Sequence, residues 1–296
     1  MREPRIVVVG DAGLDVVARH VGSVAFGGDT RAQVRLTLGG AGANTAAWLA
    51  HAGADVTLVG RIGDDPAGRQ VTAELDAAGV RCAFTLDPEA PTCCVVVLVD
   101  DTGQRTMLPD RGANARIQPE DLDPRLLTEA QHLHLSGYVL LDPSSRPAGV
   151  AALTAARAAG LTTSVDPQAA SLLREDTDGF LEAVRGVDLL LPNADELAVL
   201  TGSSDPVSAE KLLDVAGAVA VTAGADGASW VDQSGTVSVP APPAKCVDST
   251  GAGDAFDAGL LAAWLRGASP REALLTGVEL GTTAVQQVGA QPSITG

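Results

Sequence analysis

The sequence predicts an α/β protein: a doubly wound, mainly parallel sheet with helices on both faces, carrying a small β lid. Three observations point there. Short β-branched runs alternate with stretches of helical spacing along most of the chain, and strands separated by helices make a parallel sheet covered on both faces. Two segments, approximately 14–38 and 92–110, interrupt that alternation with strand-like patterning of their own. No internal repeat, low-complexity tract or linker divides residues 1–296, so the chain reads as a single domain whose two interruptions form the lid.

In order, residues 5–10 form a β-branched run ending in glycine, read as a buried strand. Residues 10–15 read as a turn. The alternation in residues 33–38 predicts a strand wet on one face. Gly39-Gly40-Ala41-Gly42-Ala43-Asn44 opens a small-residue helix to about Ala52. Residues 55–60 read as a strand, and 66–78 as a helix with Val71, Leu75 and Ala78 in register, stopped by Gly79. Residues 93–100 and 105–108 flank Asp101-Thr102-Gly103, a hairpin signal. Further strands are expected at 132–135, 162–165, 187–191 and 218–222, with helices such as 150–159 and 196–200 between them. A hairpin around Ser234-Gly235 and two C-terminal helices close the chain. Ligands in such sheets gather at the carboxyl ends of the strands.

Composition narrows the function. The chain is 46% hydrophobic and 19% charged, with a net charge of −17, which argues against nucleic acid or an anionic membrane as partner. No apolar run reaches the roughly 18 residues that span a bilayer. The N-terminus runs from Met1-Arg2-Glu3-Pro4 straight into Ile6-Val7-Val8-Val9, a first strand rather than a cleavable signal. A soluble, cytoplasmic protein is expected. Cys82, Cys93, Cys94 and Cys246 lack CxxC spacing and read as reduced thiols. The only lysines are Lys211 and Lys245, so any phosphate must be gripped by backbone N–H groups, arginines and metal ions.

Several motifs are absent. No glycine is followed by lysine, which excludes a P-loop, and no complete G-x-G-x-x-G, protein-kinase signature or G-x-S-x-G occurs. His132 and His134 share one face of a strand, a structural pair rather than a metal site. The informative stretch is Asp248-Ser249-Thr250-Gly251-Ala252-Gly253-Asp254-Ala255-Phe256-Asp257, a glycine-rich turn running into an apolar helix over 255–265. Free N–H groups at a helix start make an anion site. Asp254 beside such a site suits proton removal while negative charge builds next door. A plain turn with Asp254 as N-cap would leave the same letters, so both readings stay open on this stretch alone.

This stretch resembles the signature of the ribokinase-like (PfkB-type) carbohydrate kinases, and Gly39-Gly40-Ala41-Gly42-Ala43-Asn44-Thr45-Ala46 is similar to that family's N-terminal signature. The resemblance spans nearly the whole chain and implies the ribokinase-like fold, a doubly wound domain plus a β lid. It implies that Asp254 is the general base and that the Gly251, Ala252, Gly253 and Asp254 amides form the anion hole for the transferred phosphoryl group. It implies sugar binding by Asp15, Gly39, Gly40 and Asn44, where an exposed turn residue and an ordinary strand-to-helix turn are the plainer readings. Asn193-Ala194-Asp195-Glu196 matches an N-x-x-E motif, with Asn193 at the nucleotide and Glu196 linked to Mg2+ through water or phosphate. The same spacing is a helix capping box, and both can hold. Thr222, Gly224 and Gly227 align with the nucleotide-binding turn, although Ala225-Asp226 departs from the family pattern. Asp248, Thr250, Ala284, Gly289 and Ser293 match a monovalent-cation site of the ribokinase branch, which implies K+.

The implied activity is ATP- and Mg2+-dependent phosphorylation of a primary hydroxyl of a small sugar, pentose or hexose. Ala41 and Thr45 replace the lysine and glutamine usual in ribokinases proper. The alternative is a nucleoside kinase of the adenosine or pseudouridine type. Four Phe, three Trp and one Tyr leave little to stack a base on. A non-catalytic sugar sensor is the third reading, and the intact Asp254 and Gly251–Gly253 turn argue against it. The lid is expected to close over the sugar and to offer a homodimer contact.

Overall fold

The computed structural model describes residues 3–101 and 104–293. Thirteen strands are β1 Arg5–Val9, β2 Gly13–His20, β3 Ala32–Gly39, β4 Asp55–Gly63, β5 Arg81–Asp87, β6 Cys93–Val99, β7 Arg105–Asp110, β8 His132–Ser136, β9 Thr162–Asp166, β10 Val187–Leu190, β11 Ala216–Thr222, β12 Ala228–Asp232 and β13 Gly235–Val239. The helices are α1 Ala41–His51, α2 Pro66–Ala77, α3 Arg125–Glu129, α4 Tyr138–Leu141, α5 Arg146–Ala158, α6 Ala170–Leu173, α7 Thr177–Ala183, α8 Ala194–Thr201, α9 Ala252–Leu265 and α10 Pro270–Val285.

Nine strands form one sheet in the order β13-β12-β11-β10-β9-β8-β1-β4-β5, parallel except for the β11–β12–β13 end. Side chains of successive strand residues point to opposite faces, and β1 shows the consequence. Ile6 and Val8 pack in a core with Trp48, Leu75, Phe256 and Leu274, beneath α1, α2, α9 and α10. Val7 and Val9 pack in a second core with Leu140, Leu153, Phe180 and Leu197, on the side of α3 to α8. That double burial is why the strand reads as an unbroken apolar run. β1 lies between β8 and β4, so the chain runs outward from β1 in both directions. The crevice at this reversal is where a doubly wound sheet binds ligands.

The second sheet has the order β3-β2-β6-β7 and is built from the two interruptions noted in the sequence. Three details depart from the sequence reading. Residues 10–15 are not a single turn: β2 starts at Gly13, pairs with β6 in parallel and with β3 antiparallel, and carries Asp15 within it. Pairing on both sides overrides the turn-like glycines. β5 was not anticipated; it is an edge strand held by β4 alone. Helix α9 begins at Ala252 rather than at 255, because Gly251 takes a left-handed φ of 75° and caps it. Asp254 therefore sits inside the first turn and is not the N-cap. The expected Thr102-Gly103 hairpin tip lies outside the described residues. Cys82, Cys93, Cys94 and Cys246 are free thiols, and His132 and His134 are buried on the hydroxyls of Thr162 and Ser164.

Candidate active site

The carboxyl ends of β1, β8, β9 and β10 deliver Asp11, Ser136, Asp166 and Asn193 to one crevice, and α9 points its first turn into it. Asp11 organises the β1 end. Its carboxylate accepts from Ala41 N (3.1 Å), Gly42 N (3.2 Å) and Ser136 Oγ (3.0 Å), so it caps α1 from a distant strand. Gly40 makes this approach possible: its φ is 94°, and a Cβ there would lie 2.6 Å from the Asp11 carbonyl.

Asp254 is 8% exposed. Asn44 Nδ2 donates to its Oδ2 at 3.0 Å and Thr45 Oγ1 to its Oδ1 at 3.4 Å. Burial pushes the Asp254 carboxyl up to about 7; hydrogen bonds from Asn44, Gln168 and Thr45 pull against that, and the nearby Asp11 charge adds to it. Asn44 is itself held by Gln291, whose Nε2 donates to Asn44 Oδ1 at 3.3 Å. The result is a carboxylate poised near neutrality and aimed by two donors from α1.

Beside Asp254 lies a cavity of about 180 Å³ whose walls include Gly251, Ala252, Gly253, Thr222, Asn193 and Glu196. The N–H groups of the first turn of α9 belong to this wall, with Ala252 N donating to the Ser249 carbonyl at 3.4 Å, and the helix dipole makes it electropositive. Glu196 is 1% exposed. Both its oxygens accept from Asn193, Oε2 from the backbone N at 2.9 Å and Oε1 from Nδ2 at 2.6 Å, and the Asn193 carbonyl oxygen of the side chain accepts from Asp195 N and Glu196 N. The capping box and the site motif are thus the same residues. Burial lifts Glu196 to about 7 against those Asn193 bonds. Thr222 ends β11 and bridges to Asn193. Gly224, in a short turn, faces open space with φ 55°, and Gly227 has φ 99°.

Asp166, Gln168 and Asp257 line the same cavity, though the sequence reading gave none of them a role. Burial, reinforced by neighbouring carboxylates, pushes Asp166 and Asp257 well above the usual carboxylate range. Asp257 Oδ2 is buried with no hydrogen-bond partner among the described residues. Gln168 is the one described non-glycine residue with positive φ, 72°, and its Nε2 donates to Asp166 Oδ2 at 2.6 Å. Strained backbone of this kind concentrates at functional sites. Signals existed for two of the three: Asp166 directly follows the strand expected at 162–165, and Asp257 follows Asp254 by about one helical turn. Among the described residues no group of three His, Cys, Asp or Glu side chains is arranged to ligate one metal. An unpartnered carboxylate oxygen beside Glu196 fits Mg2+, which keeps water and phosphate ligands and needs only one or two carboxylates.

A larger cleft of about 450 Å³ opens between the second sheet and the 246–250 and 288–290 segments. Asp15 faces it, with burial and then Asp11 raising its carboxyl to about 6. Its carboxylate packs onto Gly39, where a Cβ would lie 2.2 Å from Oδ1. Ser249 lines both cavities. Arg105 crosses from β7 to bond Thr250 Oγ1 and Ser249 Oγ, the latter at 3.1 Å, and lies 3.8 Å from Asp248. Of the cation set, Asp248 accepts from Thr250 N at 3.0 Å and Thr250 Oγ1 at 2.7 Å through Oδ1, and from Gly289 N at 3.2 Å through Oδ2. Ala284 is buried, and the Ser293 hydroxyl turns to Gln287.

A doubly wound sheet, a second sheet beside its crevice and a helix N-terminus facing a buried carboxylate are together the architecture of the ribokinase-like fold. Residues 3–295 match the pfkB family carbohydrate kinase model. The chain is 34% identical over 259 residues to an ATP-dependent ribose-1-phosphate kinase of Halopiger xanaduensis, covering 87% of this chain and 83% of that protein. It is 35% identical over 268 residues to a fructokinase of Klebsiella pneumoniae, again covering 87% and 83%. Among solved structures, ribokinase from Thermotoga maritima superposes with a TM-score of 0.83 at 27% identity, covering 97% of this chain and 94% of that one. The chain belongs to the pfkB family and is an ATP-dependent carbohydrate kinase. No helix among the described residues is long and apolar enough to cross a membrane.

Proposed function

We propose that this kinase transfers the γ-phosphoryl group of ATP to a primary hydroxyl of a small sugar, with Asp254 as general base. The observation that carries this is the position of Asp254: in the first turn of α9, buried, and raised to about 7. The sugar oxygen attacks phosphorus, its proton passes to an Asp254 oxygen, and ADP leaves. An alcohol is too weak an acid to ionise beforehand, so the base acts as the bond forms. The Gly251, Ala252, Gly253 and Asp254 amides stabilise the equatorial oxygens, since phosphoryl transfer needs positioning and charge stabilisation above all.

Asp15, Gly39, Gly40 and Asn44 hold the sugar, with Asn44 also aiming Asp254. Asn193, Thr222, Gly224 and Gly227 border the nucleotide. Glu196 would hold Mg2+ through water or phosphate oxygens, and the ion would supply countercharge for the phosphates of ATP. Asp248, Thr250, Ala284, Gly289 and Ser293 would hold a K+ ion, with the Asp248 carboxylate as its anionic anchor. The second sheet acts as the lid, and closing it keeps water from the phosphoryl group. Its outward face, bearing Val34, Leu36 and Leu108 at 61%, 59% and 56% exposure, pairs with a second copy. Dependence on ATP suits a cytoplasmic protein.

The relatives act by name on a sugar and on a sugar phosphate, both small carbohydrates. Among the described residues no aromatic side chain lines the cleft, which favours a sugar over a nucleoside. The test is an ATP-consumption screen over sugars, sugar phosphates and nucleosides, with Asp254→Asn in parallel. Loss of roughly 10²–10⁴ in kcat for Asp254→Asn is expected. Turnover retained within a few-fold overturns the mechanism, and sugar binding without any turnover makes the protein a sensor.

A further inference from the structure

The cleft-facing side of the second sheet carries more positive charge than a neutral sugar needs. On β2 the residues facing the cleft are Asp15, Val17 and Arg19, and on β3 they are Gln33, Arg35 and Thr37. Register places Thr37 opposite Asp15 and Arg35 opposite Val17. Arg19 pairs with Val99, and Val99 with Arg105. Arg35 therefore lies one row beyond Asp15, roughly 7 Å along the strand, and Arg19 and Arg105 flank Val99 one row further.

These arginines stand in a chain with 37 Asp and Glu against 20 Lys and Arg. Carboxylates are plentiful, and Arg61, Arg81 and Arg146 each find one. The Arg19 and Arg35 guanidiniums make no ion pair or hydrogen bond among the described residues. Of the carboxylates lining the cleft, Asp248 is committed to Thr250, Gly289 and Arg105, and Asp15 forms no ion pair among the described residues. Val17, Val97, Val99 and Met107 floor the space around the guanidiniums. Valines and methionine offer no competing acceptor, so the donors stay free for a ligand.

We propose that the acceptor sugar already carries a phosphate, held by Arg19 and Arg35 with Arg105 closing from β7, so that the product is a sugar bisphosphate. This rests on the sugar-kinase reading above. Guanidinium forks match phosphate oxygens in pairs of parallel hydrogen bonds, and several around one group suit a dianion better than a single carboxylate. The geometry also separates the two phosphates of the reaction. ATP's reacting end belongs to the small cavity beside Gly251–Asp254, while Arg19 and Arg35 line only the larger cleft and Arg105, bonded to Ser249 and Thr250, stands at the wall the two cavities share. The sugar ring would span the gap between Asp15 and Asp254, leaving its phosphate toward Arg35.

The experiment has a binding arm and a turnover arm. Calorimetric titration of Asp254→Asn with pentose and hexose monophosphates, the parent sugars and the matching sugar acids is expected to rank the phosphates first. In the active enzyme, Arg35→Ala and Arg19→Ala are expected to raise KM for the best sugar phosphate by roughly 10- to 100-fold, as loss of charged hydrogen bonds does. KM for ATP should stay within a few-fold, and lysine at either position should restore part of the loss. Sugar phosphates binding no more tightly than parent sugars or sugar acids would overturn the proposal. So would an arginine dependence that appears in KM for ATP instead. Preferential binding of sugar phosphates without turnover on any acceptor would sink the kinase reading while leaving the phosphate pocket standing.

Discussion

Asn44 Nδ2 donates to Asp254 Oδ2 across 3.0 Å, although the two residues are 210 positions apart. The bond ties the first turn of α1 to the first turn of α9 and gives each a second task. For α1 it means the proposed sugar contact and the base share one amide. For α9 it sets the energy of the carboxylate, because a donor to the charged form lowers its pKa against burial.

The acid limb of the rate follows from this bond. As the proposed base, Asp254 must be ionised to accept a proton, so kcat/KM is expected to rise with pH through about 7 and level off above it. Asn44→Leu removes the donor, and the limb should move to higher pH as well as weaken sugar binding. A limb that stays in place would show that Asn44 does not tune Asp254.

Stability should run the opposite way to the usual aspartate. The folded-state value of Asp254 lies above its ordinary 3.8, so the native state binds the extra proton. Its contribution is fully present below 3.8 and is lost as pH rises towards about 7. Asp254→Asn removes that dependence. Thermal melts are expected to show the variant gaining on the parent protein as pH rises from about 4 to about 7, with no further gain above that, while activity is lost. Parallel melting curves would mean that Asp254 stays charged in the fold.

Gly251 and Gly253 should respond differently to a methyl group. At Gly251, φ is 75° and a Cβ would sit 2.3 Å from the Ala290 carbonyl, so Gly251→Ala should lower the melting temperature. The backbone term alone costs about 1–2 kcal/mol. A Cβ at Gly253 meets nothing within 4 Å, yet the residue lines the small cavity. Gly253→Ala should fold at least as well, gaining up to about 1 kcal/mol of helix propensity, and lose kcat/KM for ATP. Unchanged ATP kinetics in that variant would count against the anion hole.

Two assembly properties are open to direct measurement. Sedimentation at micromolar concentration should give a dimer, and Leu36→Lys on the outward face of β3 should give a monomer. A monomeric parent protein would remove the dimer and leave the chemistry untouched.

The cation set makes a separate claim. Replacing K+ with a large organic cation at constant ionic strength should lower activity. Equal rates in both would end that reading and leave Asp248 as a turn residue bonded to Thr250 and Gly289.

Much of this was legible in the order of residues, wherever the signal is local. Two-sided burial makes β1 an unbroken apolar run, Asn193 and Glu196 sit at capping-box spacing, and the 248–257 turn carries its own glycines. Tertiary structure decided the rest, because parallel strands that are neighbours in space are far apart in the chain. Asp11, Asp166 and Gln168 join Asp254 only once β1, β8 and β9 lie side by side and end together. Asp15 passes from an apparent turn to a strand because β3 and β6 pair with it on both sides. Arg19, Arg35 and Arg105 look like scattered surface charge until the register of β2, β3, β6 and β7 puts all three on the face that meets the cleft. Alternation along each strand is a sequence property; which face meets the site is set by the sheet's docking against the main domain.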